Sequence, residues 1–248
     1  MEFYNQIFKR KSFHLFRYAN PTPMPLETLA EIQTFLKEVK PLDSSIKTSM
    51  VIVPEGDTSC HCGGEYCILF YSEEKGNYLR NIGYIGEQID LFCASKNVGA
   101  LWYGIGKPKK DVVDGLSFVI MISIACVPEE SFRKDMFKAK RKDLSEIWQG
   151  DTLKVGEIVR FTPSACNSQP WRVENTGTEL RVFRFRKPGR IGILSPAKAF
   201  YFNRIDMGIF LYMLEECLGH ENIGFERTLF EDGNDEEKVL IATYQIKG

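Results

Sequence analysis

Pro163-Ser164-Ala165-Cys166-Asn167-Ser168-Gln169-Pro170-Trp171 stands between an apolar run ending at Phe161 and the stretch Arg172-Val173-Glu174. Pro163 and Pro170 each fix a φ angle and push Thr162 and Gln169 toward extended geometry. Ser164, Asn167, Ser168 and Gln169 bring hydrogen-bond donors and acceptors close together. Trp171 has the area to anchor the segment by burial. Such a stretch reads as a rigid, polar-lined wall against which a planar ligand can lie.

The rest of the chain limits what that ligand can be. With 248 residues, 12% aromatic and 26% charged, the chain has the composition of a globular protein with room for one large domain or two small ones. A net charge of −1 argues against a nucleic-acid surface, which needs an excess of Lys and Arg. Met1 to Arg10 has no apolar signal core, and no run approaches the ~18 apolar residues of a membrane span. Seven cysteines, an odd number scattered along the chain, read as reduced thiols, so a cytoplasmic location is expected. Cys60-His61-Cys62 with Cys67 invites a metal reading, but a second Cys-x-x-Cys or a His pair is missing. Packing is favoured over a metal centre there.

Hydrophobic periodicity gives the order of elements. A short helix is expected over Glu2 to Lys9, then an extended segment with Pro21, Pro23 and Pro25, then an amphipathic helix over Leu26 to Val39. Met50 to Val53 and Cys67 to Tyr71 read as strands. Ile82, Ile85, Ile89, Phe92 and Cys93 form the stripe of a long helix stopped near Gly99. Leu101 to Tyr103 and Phe118 to Ala125 read as strands, and Lys134 to Lys142 is a basic run. The second half repeats the order: helix over Val155 to Phe161, strand over Leu180 to Phe185, helix over Phe202 to Leu218, strand over Val239 to Ile246. One offset of 120 pairs Gly99 with Gly219 (219 − 99) and Val119 with Val239 (239 − 119), which suggests a diverged internal duplication.

The stretch 163–171 resembles the PSAxNxQPW segment of the FMN-dependent nitroreductase family. Arg10-Lys11-Ser12-Phe13-His14 resembles that family's N-terminal Arg-x-Ser stretch. Asn97 to Gly106 resembles its glycine-containing strand end, and Lys140 to Ile147 its late basic segment. The resemblance implies an α+β, nitroreductase-like fold. In that family FMN lies between two subunits, one supplying the wall and the other the remaining pieces. Here the wall sits in the second half, while the position after Leu26–Val39 in the first half reads Pro41-Leu42-Asp43-Ser44-Ser45. A fused pseudo-dimer is therefore expected, with units 1–142 and 143–248, one complete FMN site and a monomeric chain capable of further association.

The resemblance also implies the roles. Arg10, Lys11 and Ser12, with Lys140 and Arg141, would hold the phosphate of FMN. His14 stands where the family more often has Arg or Lys near flavin N1, and supplies charge only when protonated. Tyr103, Gly104, Ile105 and Gly106 would bring a backbone N–H close to flavin N5, as glycine permits. Pro163, Ser164, Ala165 and Asn167 would face the ring and its side chain, with Gln169 and Trp171 shaping the loop. No catalytic side chain and no metal are expected, because the flavin carries the chemistry. The expected activity is ping-pong reduction of a small-molecule acceptor, a nitroaromatic or quinone, at the expense of NADH or NADPH. The alternative is a flavin-binding protein without turnover.

Overall fold

In the computed structural model, which describes residues 2–185, 189, 192, 194–232 and 236–247, the apolar runs become two antiparallel-rich sheets and two long helices. The fold is α+β. It divides into two compact units, one of residues 3–78 and 85–136, the other of residues 79–84 and 137–247 together with Glu2.

The first unit opens with α1 (Tyr4–Lys9) and α2 (Leu26–Phe35), followed by β1 (Thr48–Pro54) and β2 (Tyr66–Ser72). Helix α3 (Tyr78–Ser95) buries Ile82, Ile85, Ile89 and Phe92, as their spacing requires; its residues 79–84 belong to the second unit. Asn97, at φ 57, reverses the chain after the helix, so the break falls before Gly99, which is already in β3 (Val98–Tyr103). β4 (Val112–Val113) and β5 (Leu116–Cys126) complete the sheet in the order β1-β2-β5-β3, with β4 beside β5. β5 is central, and its run Val119–Ala125 is buried throughout, which accounts for its being apolar at every position but Ser123. α2 ends at Phe35, short of the expected Val39, because residues 36–38 close in a turn.

The second unit contains α4 (Leu144–Ile147), β6 (Trp148–Gln149), α5 (Gly156–Val159), β7 (Trp171–Asn175) and β8 (Glu179–Phe185). Then come α6 (Pro196–His220), β9 (Gly224–Leu229) and β10 (Lys238–Lys247), in a sheet ordered β6-β7-β8-β10-β9. Ser195 caps α6 by accepting the Lys198 N–H, with Pro196 in the first turn. From Ile205 to Leu214 every residue of α6 is buried, so this helix is enclosed rather than amphipathic. Gly83 and Gly208 let two helical backbones touch. A β-carbon on Gly83 would collide with the Ile205 carbonyl, and one on Gly208 with the Arg80 carbonyl. Gly219, expected to match Gly99, lies in the last turn of α6 instead, so the 120-residue offset fails there. Among the described residues, no helix is long and apolar enough to cross a membrane.

Candidate functional site

The wall is built inside the second unit. Trp171, fully buried, stacks on Phe210 of α6 with ring centroids 4.9 Å apart, so its anchoring role follows from packing. Between the prolines the backbone is unusual: Cys166, Asn167 and Gln169 take φ of 49°, 54° and 49°. Three left-handed non-glycine residues within four positions cost energy and persist only where side-chain contacts fix them. Those contacts come from α6. The Asp206 carboxylate accepts the Ala165 N–H (2.9 Å), the Ser168 hydroxyl (3.3 Å) and the Asn203 amide (3.0 Å). Asn203 also donates to Ser168 Oγ, and the Gln169 N–H reaches Ser164 Oγ at 3.0 Å. Asp206 is 3% exposed, and burial pushes its carboxyl up to about 7 against the pull of those three donors.

The basic segment packs on the same loop. Asn167 donates its side-chain amide to the Lys140 carbonyl (3.1 Å), and Arg141 donates to the Lys140 and Phe161 carbonyls. Lys142 gives its N–H to the Gln169 side chain and its ammonium to the Ser168 and Gln169 carbonyls. Lys140, Arg141, Pro163, Ser164, Ala165 and Asn167 are thus brought together, with Lys140 and Asn167 exposed and Pro163, Ser164 and Ala165 half-buried. Asp206 and Asn203 are not among the residues expected from the sequence, and Lys142 enters there only as part of the basic segment. The signal for the first two was available: an Asp and an Asn three residues apart on an otherwise apolar helix must satisfy something buried.

The other expected group lies in the first unit. Ser12 bridges Ala100 of β3, and the Phe13 N–H donates to the Ala100 carbonyl, so the Lys11–His14 strip runs along the strand that leads into Tyr103-Gly104-Ile105-Gly106. Gly104 and Ile105 are exposed, Tyr103 is half-buried, and Gly106 is buried with its N–H on the Tyr103 carbonyl (3.4 Å). His14 is exposed; Lys11 is half-buried, donating to the Ser131 carbonyl and lying over the Phe13 ring. Arg10 departs from expectation. It is 3% exposed, with Nε 2.8 Å from Asp90 Oδ2 and 3.7 Å from Glu87 Oε1. A guanidinium already paired with the buried Asp90 carboxylate, with the Glu87 carboxyl beside it on α3, is not presented to a phosphate. Desolvation, only partly opposed by Arg10, raises the Glu87 carboxyl well above its ordinary range.

A fixed polar wall, an exposed Lys140 and an Arg141 tied beside it form a cationic, hydrogen-bonding surface of the kind that can receive an anionic group. A family model described as "Putative TM nitroreductase" matches residues 2–217. Among solved structures, a putative nitroreductase from Thermotoga maritima superposes with a TM-score of 0.62 at 19% identity, covering 99% of this chain and 94% of that one. At that identity the likeness establishes the fold, which is nitroreductase-like. A nitroreductase family protein from Clostridium novyi NT has a TM-score of 0.40 at 15% identity, over 52% of this chain and 87% of that one. A nitroreductase-like family protein from Bacillus cereus has a TM-score of 0.39 at 12% identity, over 59% and 94%. No curated protein matches the chain.

Proposed function

This chain belongs to the TM nitroreductase family, and from that premise we propose that it is an FMN-dependent oxidoreductase. In this reading it draws on NADH or NADPH to reduce nitroaromatics, quinones or similar electron-poor acceptors. The observation that carries the reading is the Pro163–Trp171 wall, held in left-handed geometry by Asp206 and braced by Lys140–Lys142.

Lys140 and Arg141, with Lys11 and Ser12, would hold the phosphate, while Arg10, committed to Asp90, would hold the Lys11–His14 strip in place. Pro163, Ser164, Ala165 and Asn167 would line the ring and its side chain. The exposed turn at Gly104 and Ile105 would allow close backbone approach beside Tyr103 and Gly106. His14 would set the charge at the pyrimidine edge, and only in its protonated form. FMN, when bound, supplies the two-electron redox chemistry. The protein residues orient the ring, exclude water from one face and leave the other for nucleotide and acceptor in turn, so ping-pong kinetics is expected.

The fused pseudo-dimer belongs to the same proposal. Its support is that strands β1, β2, β3 and β5 are ordered β1-β2-β5-β3, and β7, β8, β9 and β10 are ordered β7-β8-β10-β9, each set with one long helix between its second and third strands. Steady-state NAD(P)H oxidation with a nitroaromatic acceptor tests the activity. A bound flavin that stays oxidised under NAD(P)H would point instead to a flavin-binding protein without turnover.

A further inference from the structure

The loop joining β1 to β2 in the first unit concentrates chemistry for which the flavin reading has no use. After Pro54 a single turn carries Glu55, and Thr58 Oγ1 accepts the Cys60 N–H at 3.0 Å. Gly63, at φ +80, turns the chain back, and Gly64 presses it onto β5: a β-carbon there would collide with Ser123 Oγ. The outcome is a built cluster. Cys60 Sγ lies 3.3 Å from Cys62 Sγ, and Cys62 Sγ lies 3.2 Å from Glu55 Oε1. Cys67, near the start of β2, lies beside this cluster with its Sγ 3.7 Å from Thr58 Oγ1. Cys60, Cys62 and Cys67 are 2%, 4% and 0% exposed.

We propose that Glu55, Cys60 and Cys62, with Cys67 as the fourth donor, form a site for a thiophilic divalent cation, zinc being the best match. The ligand atoms of Glu55, Cys60 and Cys62 all lie within 4.8 Å of one another. A four-coordinate ion with bonds of roughly 2.0–2.3 Å needs donors spread about 3.5–4 Å apart, so small rotamer adjustments suffice for these three, while Cys67, outside that group, would have to swing toward them to complete the set. Three sulfurs and one carboxylate oxygen are a donor set that favours zinc over the hard cations. The Ser123 hydroxyl, 3.4 Å from Glu55 Oε1, and the Cys62 N–H, 3.1 Å from it, orient the carboxylate as outer partners do in metal sites. A Cys60–Cys62 disulfide would employ two of the four groups and leave a carboxylate aimed at sulfur without purpose. In place of a second cysteine pair, the further donors are an acid five residues before Cys60 and a thiol in the next strand. His61 is exposed and takes no part.

The test uses the full-length chain, reduced and stripped with a chelator, titrated with Zn²⁺ against a chromophoric competitor while proton release is followed. One ion per chain is expected, with about two to three protons released per ion as the thiols ionise. Cys60→Ser and Cys62→Ser should each weaken binding roughly a hundredfold or more, while Cys166→Ser, at an exposed thiol, should not. X-ray absorption of the zinc-loaded unmutated chain, which needs no variant to fold, should show a sulfur-dominated shell. A nitrogen- and oxygen-only shell, binding unaffected by the Cys60 and Cys62 substitutions, or no zinc uptake by the reduced chain would each overturn the proposal.

Discussion

Replacing Asp206 with Asn tests whether the wall is held by a neutral or an ionised carboxyl. In the unfolded chain this group loses its proton near 3.8, whereas burial holds the folded group up to about 7. Between those values the folded chain binds one more proton than the unfolded chain, so stability falls as pH rises through the window and levels off above pH 7. A separation of about 3 pH units at 1.36 kcal/mol per unit is on the order of 4 kcal/mol. Asp206→Asn has no proton to lose. Its stability relative to the native chain should therefore grow by about 3–4 kcal/mol between pH 4.5 and 8, measured by urea denaturation at stepped pH. The Ala165 amide, which donates to Asp206 Oδ1 at 2.9 Å, should report the same titration by NMR with a midpoint close to neutrality. A stability difference that stays constant across the range would show instead that the three donors outweigh burial and that Asp206 is already ionised at pH 4.5.

Three further outcomes are expected. Arg10→Met leaves Asp90 and Glu87 buried without their cation and should cost about 3 kcal/mol or more of stability in denaturant; a loss under about 1 kcal/mol would show that the ion pair contributes little. Gly208→Ala forces a β-carbon against the Arg80 carbonyl and the Tyr84 N–H, so the chain should lose several kcal/mol or fail to accumulate in soluble form. Asn167→Ala removes the bond to the Lys140 carbonyl and should weaken FMN binding about tenfold by fluorescence titration, with little change in the melting temperature of the flavin-free chain; unchanged affinity would take Asn167 out of the site.

What the sequence disclosed, and what it hid, follows from how each element is buried. The stripe of α3 and the apolar runs of β2 and β5 are legible because burial on a face or on both sides leaves a periodic or continuous pattern. β9 has no counterpart among the expected elements: Gly224–Leu229 alternates exposed and half-buried residues at a sheet edge, so no buried apolar pattern marks it. β7 was hidden differently, since Trp171 was assigned to the wall while it also begins the strand. The 120-residue offset breaks at Gly219 because α6 runs 25 residues against 18 for α3, which puts Gly219 in helix where Gly99 is in strand. In the candidate site, residue types revealed the wall, but long-range partners such as Asp90 for Arg10 and Asp206 for Ala165 depend on helix rotation, which a string of letters does not display.

If the proposed single flavin site is right, the purified native protein should show a flavin absorption spectrum and release one FMN per chain when the cofactor is counted against protein. A colourless protein that does not take up FMN, or a ratio of two per chain, would rule that site out.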